Sequence, residues 1–546
     1  VLNRQKQELF IVVDGIDRAE RQNVEFIQQV RAVIGDLPAR NAKVTALITS
    51  QPDNKIKEVL SGLPNIEYDE ERKEYLASLR FDNTRYSKIS EEHKGSLEWL
   101  WTHNQYQEWS SSNNSRLLCI EGKPGSGKST LAKYFKDNFL EWNPDAESAI
   151  LADFFFSYRE GKLQTSHHNM LRSVLYAILD QNETFFYHFQ SKYRIHKKSS
   201  AAGHVEWSYS LLKDILLSLR DHEKEERIYL IVDAVDESDD EDRRDILQLL
   251  LELCSTSKCC IIKIFIASRP VSEVQHYINK FHNIIRMQDE TKADIKKFTD
   301  SFLGPELGLT GDLLREATEY IVDHAQGVFL WVSLVREEMR SLPEKGYRDR
   351  EIIEQLKALP TEMEHFYERI VNKMEQGSLR DVRDGTRMFQ YVLFALRPLT
   401  VKELQHALAI DGDPNRASIP SDQSFEGELI QGMEKRIAHC GGGLLEIKGD
   451  GNVQVIHQTV REFFLRRGGH VAKSRFKVRE RDAHASITII CTRYLLLCAA
   501  NTALENKLLD VEDWTSQHFD AYTQYLNERP LMNYTLSFLK HHISGC

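Results

Sequence analysis

Long apolar runs are missing from this chain. None reaches the ~18 residues that a membrane helix needs. The best candidate, Ile487–Ala500, is short and carries Arg493, so no transmembrane span is expected. Cysteine pairing motifs are missing too. The eight cysteines form no C-x-x-C pair, and Cys259-Cys260 merely abut a strand-like run. That pattern excludes a sequence-evident zinc site or disulfide framework, and it fits reduced thiols of an intracellular, cytoplasmic protein. A basic surplus is also lacking. The net charge of −11 and pI near 6.0 argue against a protein built to coat nucleic acid. The first residue is Val1 rather than Met, so the chain is read as part of a longer protein.

What is present is ordinary globular material, 41% hydrophobic and 28% charged, enough for about three to four domains. Its most specific stretch is Gly122-Lys123-Pro124-Gly125-Ser126-Gly127-Lys128-Ser129, a full match to G-x-x-x-x-G-K-[ST]. The apolar run Leu117–Ile120 precedes it and a helical pattern, Thr130–Asn138, follows. A phosphate-binding loop needs that order of strand, glycine turn and helix N-terminus. Glycines let backbone N–H groups turn toward phosphate, and the helix start adds partial positive charge. Lys128 is expected to reach the β/γ-phosphates and the Ser129 hydroxyl to bind Mg²⁺, so ATP/ADP with Mg²⁺ is the expected cargo.

Downstream, Tyr229–Val232 runs into Asp233-Ala234-Val235-Asp236-Glu237, and Lys263–Ile266 into Ala267-Ser268-Arg269-Pro270. Asp233, ending an apolar strand, is placed to hold Mg²⁺. Glu237 is the preferred general base for an attacking water, with Asp236 as the other candidate. The acids of Ser238–Asp242 read as a solvated helix start. Arg269 is placed to sense the γ-phosphate through a charge-assisted hydrogen bond.

The same strand pair occurs earlier. Leu9–Val13 leads into Asp14-Gly15-Ile16-Asp17, and Lys43–Ile48 into Thr49-Ser50-Gln51-Pro52, at nearly the same separation. Asn65-Ile66 and Asn283-Ile284 extend the register, which reads as an internal repeat, the alternative being two unrelated parallel strands that look alike. The first copy has no phosphate loop, and it carries Arg18 for Glu237 and Gln51 for Arg269. It is read as half of a degenerate nucleotide fold, without chemistry of its own.

The expected fold class is an α/β P-loop NTPase with a three-layer parallel sheet, followed by all-α lid, winged-helix and helical domains. Residues 1–75 are the degenerate half-fold and 76–290 the nucleotide-binding domain. Its lead-in carries Trp99, Trp101, Tyr106 and Trp109, read as packing residues rather than an adenine shelf. Ala149–Phe156 reads as a strand buried on both faces. Helices are expected around His168–Gln181 and Val205–Arg220. Residues 291–375 form a helical lid in which Gly327-Val328-Phe329-Leu330-Trp331 starts an apolar helix. Residues 376–470 form a winged helix: Thr400 caps Val401–Ile410 with Glu403 completing a capping box, and Gly449-Asp450-Gly451 joins a hairpin. Residues 471–546 are a truncated helical segment.

Phosphate loop, small residue after Asp233, paired acids, then Ser268-Arg269-Pro270: this set resembles the NACHT family of signal-transducing P-loop ATPases of the STAND class. In particular it is similar to fungal NLR-type proteins with a nephrocystin-type NACHT module and winged helix. FFFSYRE (Phe154–Glu160), MLRSVLYAIL (Met170–Leu179), GVFLWVSLV (Gly327–Val335), RPLTVKELQHAL (Arg397–Leu408) and IHQTVREFF (Ile456–Phe464) agree with it. The resemblance spans roughly residues 76–470. It implies an ATP/ADP-dependent switch in non-self recognition or regulated cell death, closed with ADP, self-associating with ATP and reset by slow hydrolysis. It also implies that His457 touches the β-phosphate of ADP. The effector and the ligand stay unread, and the C-terminal ankyrin or WD40 repeats common in such proteins are not evident. One departure is Phe329, where many relatives place an adenine-facing proline.

Two other classes stay open. A turnover ATPase or kinase would need a second-substrate site, and none is evident; neither is an N-K-x-D guanine reader or an L-S-G-G-Q motif. A winged-helix DNA-binding regulator would use the basic stretch Arg466–Arg481, which reads better as a solvated surface in an acidic chain.

Overall fold

Alternation of apolar runs with helical ones after residue 115 builds a parallel sheet, and the order of its strands sets the site. The computed structural model describes residues 8–13, 43–48, 68–81, 83–146, 148–199, 206–239, 243–255, 259–412, 422–466, 473–499 and 515–546. They fall in two units, Val1–Ala77 and Ser78–Cys546.

In the first unit, β1 (Glu8–Val13) and β2 (Lys43–Ile48) pair in parallel, with Val13 opposite Ile48. Asp14, Asp17, Arg18, Gln51 and Asn65-Ile66 lie outside the described residues.

The second unit holds β3 (Arg116–Glu121), β4 (Ile150–Phe155), β5 (Glu226–Asp233), β6 (Cys260–Ser268) and β7 (Asn283–Arg286). They lie in the order β4-β5-β6-β3-β7, all parallel. Because β6 stands between the loop strand β3 and the acid strand β5, loop, Ser-Arg-Pro and acids share one edge of the sheet. That edge is the carboxyl end, where open α/β sheets take ligands. In β5 and β6, Val232 stands opposite Ile266, the pairing that the repeat aligns with Val13 and Ile48. The likeness of the copies thus extends to strand register.

Strand β4 corrects one expectation. It is an outer strand of the sheet, and Leu151 and Asp153, which share a face, are only half-buried. Asp153 pairs there with Lys136 at 2.6 Å. The unbroken apolar run arises from its last residues, whose rings meet neighbours outside the sheet. Phe154 lies 6.0 Å from Phe81, and Phe155 lies 5.3 Å from Tyr86. Of the acids after Glu237, Asp239 is exposed and accepts from Thr165 Oγ1 at 2.7 Å, and residues 240–242 lie outside the described residues.

The lead-in helix α1 (Asn104–Ser111) and the helix after the loop, α2 (Lys128–Trp142), cover one face of the sheet. Trp101, Tyr106 and Trp109 are buried there among Phe135, Phe139, Tyr229 and Phe265, with Phe135 stacked on Phe265 at 4.8 Å. Trp101 and Trp109 fill core, as the spacing predicts, while Trp99 is half-buried and donates its Nε1–H to Asp294 at 3.1 Å. Helix α3 (His167–Gln181) packs on β4, and a helix at Tyr187–Ser199 that the sequence reading did not single out follows it.

The lid includes α4 (Lys292–Leu303), α5 (Gly311–Ala325), α6 (Phe329–Met339) and α7 (Met363–Glu375). After α8 (Leu379–Phe394), α9 (Val401–Ala409) opens with the expected capping box. Thr400 Oγ1 accepts the Glu403 N–H at 3.2 Å, and the Glu403 carboxylate accepts the Thr400 N–H at 2.8 Å. Arg397 forks onto the same carboxylate at 2.9 and 2.5 Å. With α10 (Met433–Cys440), the strands β8 (Leu399–Thr400), β9 (Leu445–Ile447) and β10 (Asn452–Val455) form an antiparallel β8-β10-β9 sheet, and α11 (Gln458–Leu465) follows. The β9–β10 hairpin turns through Gly451 at φ +79°, where glycine is unstrained. Helices α12 (Glu480–Ala499) and α13 (Leu531–Ser544) pair at the end, and one hydrophobic core joins lid, winged helix and these helices. Among the described residues, no helix is long and apolar enough to cross a membrane.

Candidate functional site

The loop after β3 is held from two sides. The Gly122 N–H donates to Ser268 O at 3.2 Å, fastening the loop start to β6. A Cβ at Gly122 would lie 2.6 Å from Ser126 Oγ and 2.8 Å from Met287 Cβ, so only glycine fits. Gly125 and Gly127 adopt φ of +75° and +92° before α2 begins at Lys128. The Lys128 ammonium curls back, donating to Gly122 O at 2.8 Å and Lys123 O at 2.9 Å. Burial pulls its pKa down, against the pull of Asp236. Pro124, Ser129 and Thr130 are half-buried along the loop and first helical turn, and the buried Ser126 hydroxyl has no partner among the described residues.

From the other side comes the lid. The Leu330 N–H donates to Gly125 O at 3.1 Å, and Lys123 Nζ reaches Gln326 Oε1 at 3.0 Å. A Cβ at Gly127 would meet the Phe329 ring at 3.7 Å. Phe329 therefore lies over the loop itself, at the place where the family resemblance leads one to expect proline.

Asp233 is fully buried at the end of β5, and among the described residues neither carboxylate oxygen has a partner with hydrogen-bond geometry. Burial pushes its pKa up to about 6, tempered by the nearby Ser129 hydroxyl. An orphaned, buried carboxylate beside a hydroxyl is a hard oxygen donor set, and it fits Mg²⁺, which keeps several of its own waters. Ala234 follows at φ +53°, a left-handed turn that a β-branched residue would resist, and it leads into the short turn Val235–Glu237. The turn separates the paired acids. Asp236 is saturated: its Oδ1 accepts the Arg269 N–H at 3.0 Å and Ser268 Oγ at 3.3 Å, and its Oδ2 meets Arg269 Nε at 3.0 Å. Glu237 accepts the Tyr158 N–H at 3.2 Å and stands 3.7 Å from Arg269 Nη2. Burial, and then Asp236, push the Glu237 pKa up, the direction that suits a base.

Arg269 is not a free surface arginine. Besides both acids, its Nη1 meets Glu462 Oε1 on α11 at 2.7 Å, so the end of β6 is tied to the winged helix. His457 is the N-cap of α11: its Nδ1 accepts the Thr459 N–H at 3.2 Å and lies 2.8 Å from Thr459 Oγ1, which meets Tyr367 OH at 2.8 Å. Burial, and then the charges of Arg159, Arg269, Lys128 and Arg85, hold its pKa well below the usual histidine value. A neutral ring that accepts at Nδ1 carries its proton on Nε2, ready to donate. Arg159, at the far end of β4, donates to Val455 O at 3.3 Å and Ile456 O at 3.2 Å, just before His457.

Loop, Asp233, Asp236, Glu237, Arg269 and His457 thus share one electrostatic neighbourhood, although His457 comes from another domain. Sequence reasoning missed Arg159, Glu462 and Arg85. Arg159 had a signal, since it follows a strand at the ligand-bearing end; Glu462 and Arg85 had none. Of the basic stretch Arg466–Arg481, residues 467–472 lie outside the described residues, while Arg466 pairs with Glu364 and Arg481 donates to Cys546 O at 2.6 Å.

Two families match the chain: Nephrocystin 3, N-terminal, over residues 95–269, and the winged helix domain of GPI inositol-deacylase over residues 371–479. The vegetative incompatibility protein HET-E-1 of Podospora anserina is 25% identical over 406 residues, covering 71% of this chain and 28% of that protein. The chain is a NACHT-type, NLR-like protein. A shorter match links this NLR-like chain to the azaphilone pigments biosynthesis cluster protein L of Monascus ruber, 28% identical over 188 residues, 32% of the chain and 37% of that protein. The chain therefore spans well under half the length of either relative. Among solved structures, the Walker-type ATPase PABY2304 of Pyrococcus abyssi aligns over 71% of the chain and 99% of its own length, at 13% identity and a TM-score of 0.27.

The grip of the NACHT loop on its lid makes one prediction. A Cβ at Gly125 would lie 2.6 Å from Leu330 Cβ, at a φ that side chains resist. Gly125→Ala is expected to break the loop–lid contact and to speed hydrogen exchange across residues 328–332, while α9 exchange stays at the parental rate. Parental exchange at Leu330 would show that the contact tolerates the methyl group.

Proposed function

We propose that this NLR-like chain is an ATP/ADP-operated switch. It rests closed with ADP, opens and self-associates with ATP, and resets by slow hydrolysis in fungal non-self recognition or regulated cell death. The observation that carries the reading is the Arg269–Glu462 pair at 2.7 Å, with His457 beside it, because the winged helix reaches into the phosphate site. A turnover ATPase has no reason to tie its nucleotide sensor to a second domain.

The chemistry follows from the residues. The loop amides and Lys128 bind phosphate once the ammonium leaves Gly122 O and Lys123 O. Asp233 and Ser129 would hold Mg²⁺, which neutralises phosphate charge. Glu237 takes the proton of the attacking water, and Asp236 keeps Arg269 at the end of β6. His457 donates its Nε2 proton to the β-phosphate of ADP, a contact contributing roughly 1–3 kcal/mol. The winged helix must release this contact for exchange to occur, and opening exposes the surface that self-associates.

Lys128→Ala is expected to lower the affinity for both nucleotides at least about a hundredfold by calorimetric titration, because the phosphates lose a fixed charge. Unchanged affinity would sink the site. Glu237→Gln should bind ATP normally and hydrolyse it about a hundredfold more slowly or worse, since the amide cannot take the proton. Hydrolysis at the parental rate would move the base to Asp236 or elsewhere. Parental hydrolysis near the ~1–10³ s⁻¹ of ordinary enzymes would itself favour the turnover reading. For the winged-helix contact, His457→Ala should release a fluorescent ADP analogue about tenfold faster and raise the oligomeric fraction in ATP, followed by stopped flow and light scattering. Release at the parental rate from an equally monomeric protein would reduce His457 to a packing residue.

A further inference from the structure

Between the first unit and the phosphate loop lies a segment that belongs to none of the motifs, and it carries a buried cation. Arg85 precedes a single turn, Tyr86–Lys88, whose Lys88 N–H donates to Arg85 O at 3.0 Å. Both ends of that turn are fastened. Tyr86 hydrogen-bonds Asp137 on α2, and its ring meets Phe155 at 5.3 Å. Lys88 pairs with Glu160 at 2.7 Å and with Asp450, in the hairpin turn of the winged helix, at 3.0 Å. The backbone that carries Arg85 is therefore fixed against α2, β4 and the winged helix.

Its side chain is not spent on that fixation. Arg85 is 6% exposed, and neither Nε nor Nη1 meets an acceptor among the described residues. A buried guanidinium with open donors destabilises a fold unless something else occupies those donors. Phe155, whose ring meets Tyr86, stands opposite Asp233 in the sheet, which sets the Arg85 turn beside the acid strand, and the Arg85 charge is felt at Asp233, Glu237, His457 and Arg159. The other cations there are engaged. Lys128 donates to its own loop, Arg269 meets three carboxylates, and Arg159 donates to two carbonyls. Among the described residues there, Arg159 keeps only its Nε open, whereas Arg85 keeps both Nε and Nη1 for an anion.

Resting on the nucleotide-binding reading, we propose that Arg85 grips the γ-phosphate of ATP with a planar guanidinium fork. The γ-phosphate is chosen over the β-phosphate because the Arg85 charge is felt at Glu237, the proposed base for a water that would attack there. Loop amides and Lys128 already serve the β-phosphate. A planar fork suits phosphate oxygens better than an ammonium does.

The test uses the whole chain with Arg85→Gln and Arg85→Lys, titrated with ADP and with a slowly hydrolysed ATP analogue, and melted without nucleotide. Arg85→Gln is expected to weaken the ATP analogue roughly ten- to a hundredfold and ADP by less than about threefold. Its nucleotide-free melting temperature should equal or exceed the parent's, because an unpaired buried charge has gone. Arg85→Lys should recover part of the analogue affinity, and it reports alone if the Gln variant fails to fold. Parental affinity for the analogue overturns the proposal. So does an equal loss for ADP and analogue, which would assign Arg85 to the β-phosphate. A lowered melting temperature with parental affinities makes Arg85 a structural residue and overturns it as well. Lys128→Ala serves as the control: if that variant keeps both nucleotides, the site reading fails and not merely the assignment of Arg85.

Discussion

Arg269 draws on carboxylates from both sides of a domain boundary. Asp236 and Glu237 come from the turn after β5, and Glu462 comes from α11 of the winged helix. Burial alone would lower the pKa of this guanidinium, but Asp236 and Glu462 outweigh burial and raise it, so the charge is permanent. Bridges of this kind add little net stability, because desolvation offsets most of the attraction. What they supply is a choice between partners. On the proposed reading, an incoming phosphate would offer Arg269 an alternative to Glu462 and so bear on where the winged helix sits.

The same balance of charge governs His457. Burial and four cations keep its ring neutral, and Thr459 occupies Nδ1, which leaves Nε2–H as the group on offer. A phosphate entering there would offset the cations while accepting that proton. The lid adds a third constraint, since the loop carbonyl of Gly125 is already bonded to the first turn of α6. Phosphate loop and lid are thus joined by a backbone hydrogen bond, and the end of β6 and the winged helix by an ion pair. The NLR-like reading gives this coupling a use.

In the first unit, β1 and β2 repeat the parallel register of β5 and β6, Val13 to Ile48 as Val232 to Ile266. Strand register survives sequence drift because a one-residue slip would turn every side chain to the opposite face. The aligned positions differ in residue type, with Arg18 and Gln51 in the first unit where the second has Glu237 and Arg269.

Much of the site was legible because it is local. The phosphate loop, the strand-ending Asp233, the Thr400–Glu403 capping box and the β9–β10 hairpin depend on backbone sterics and hydrogen bonds between residues close in the chain. Short motifs encode such features whole. The placement of Arg269 at a strand end was legible for the same reason, but its partners were not. Its bond to Glu462 joins residues 193 apart, and it exists only because β6 lies between β3 and β5 and the winged helix packs against that edge. The outer position of β4, the return of Arg159 to Ile456 and the unpaired donors of Arg85 were likewise decided by packing. The sequence by itself determined which loop has the form of a phosphate-binding loop. Only the tertiary structure decided which distant charges face that loop, because Coulomb and hydrogen-bond partners are chosen by distance in space, which strand order and helix packing set and no local pattern records.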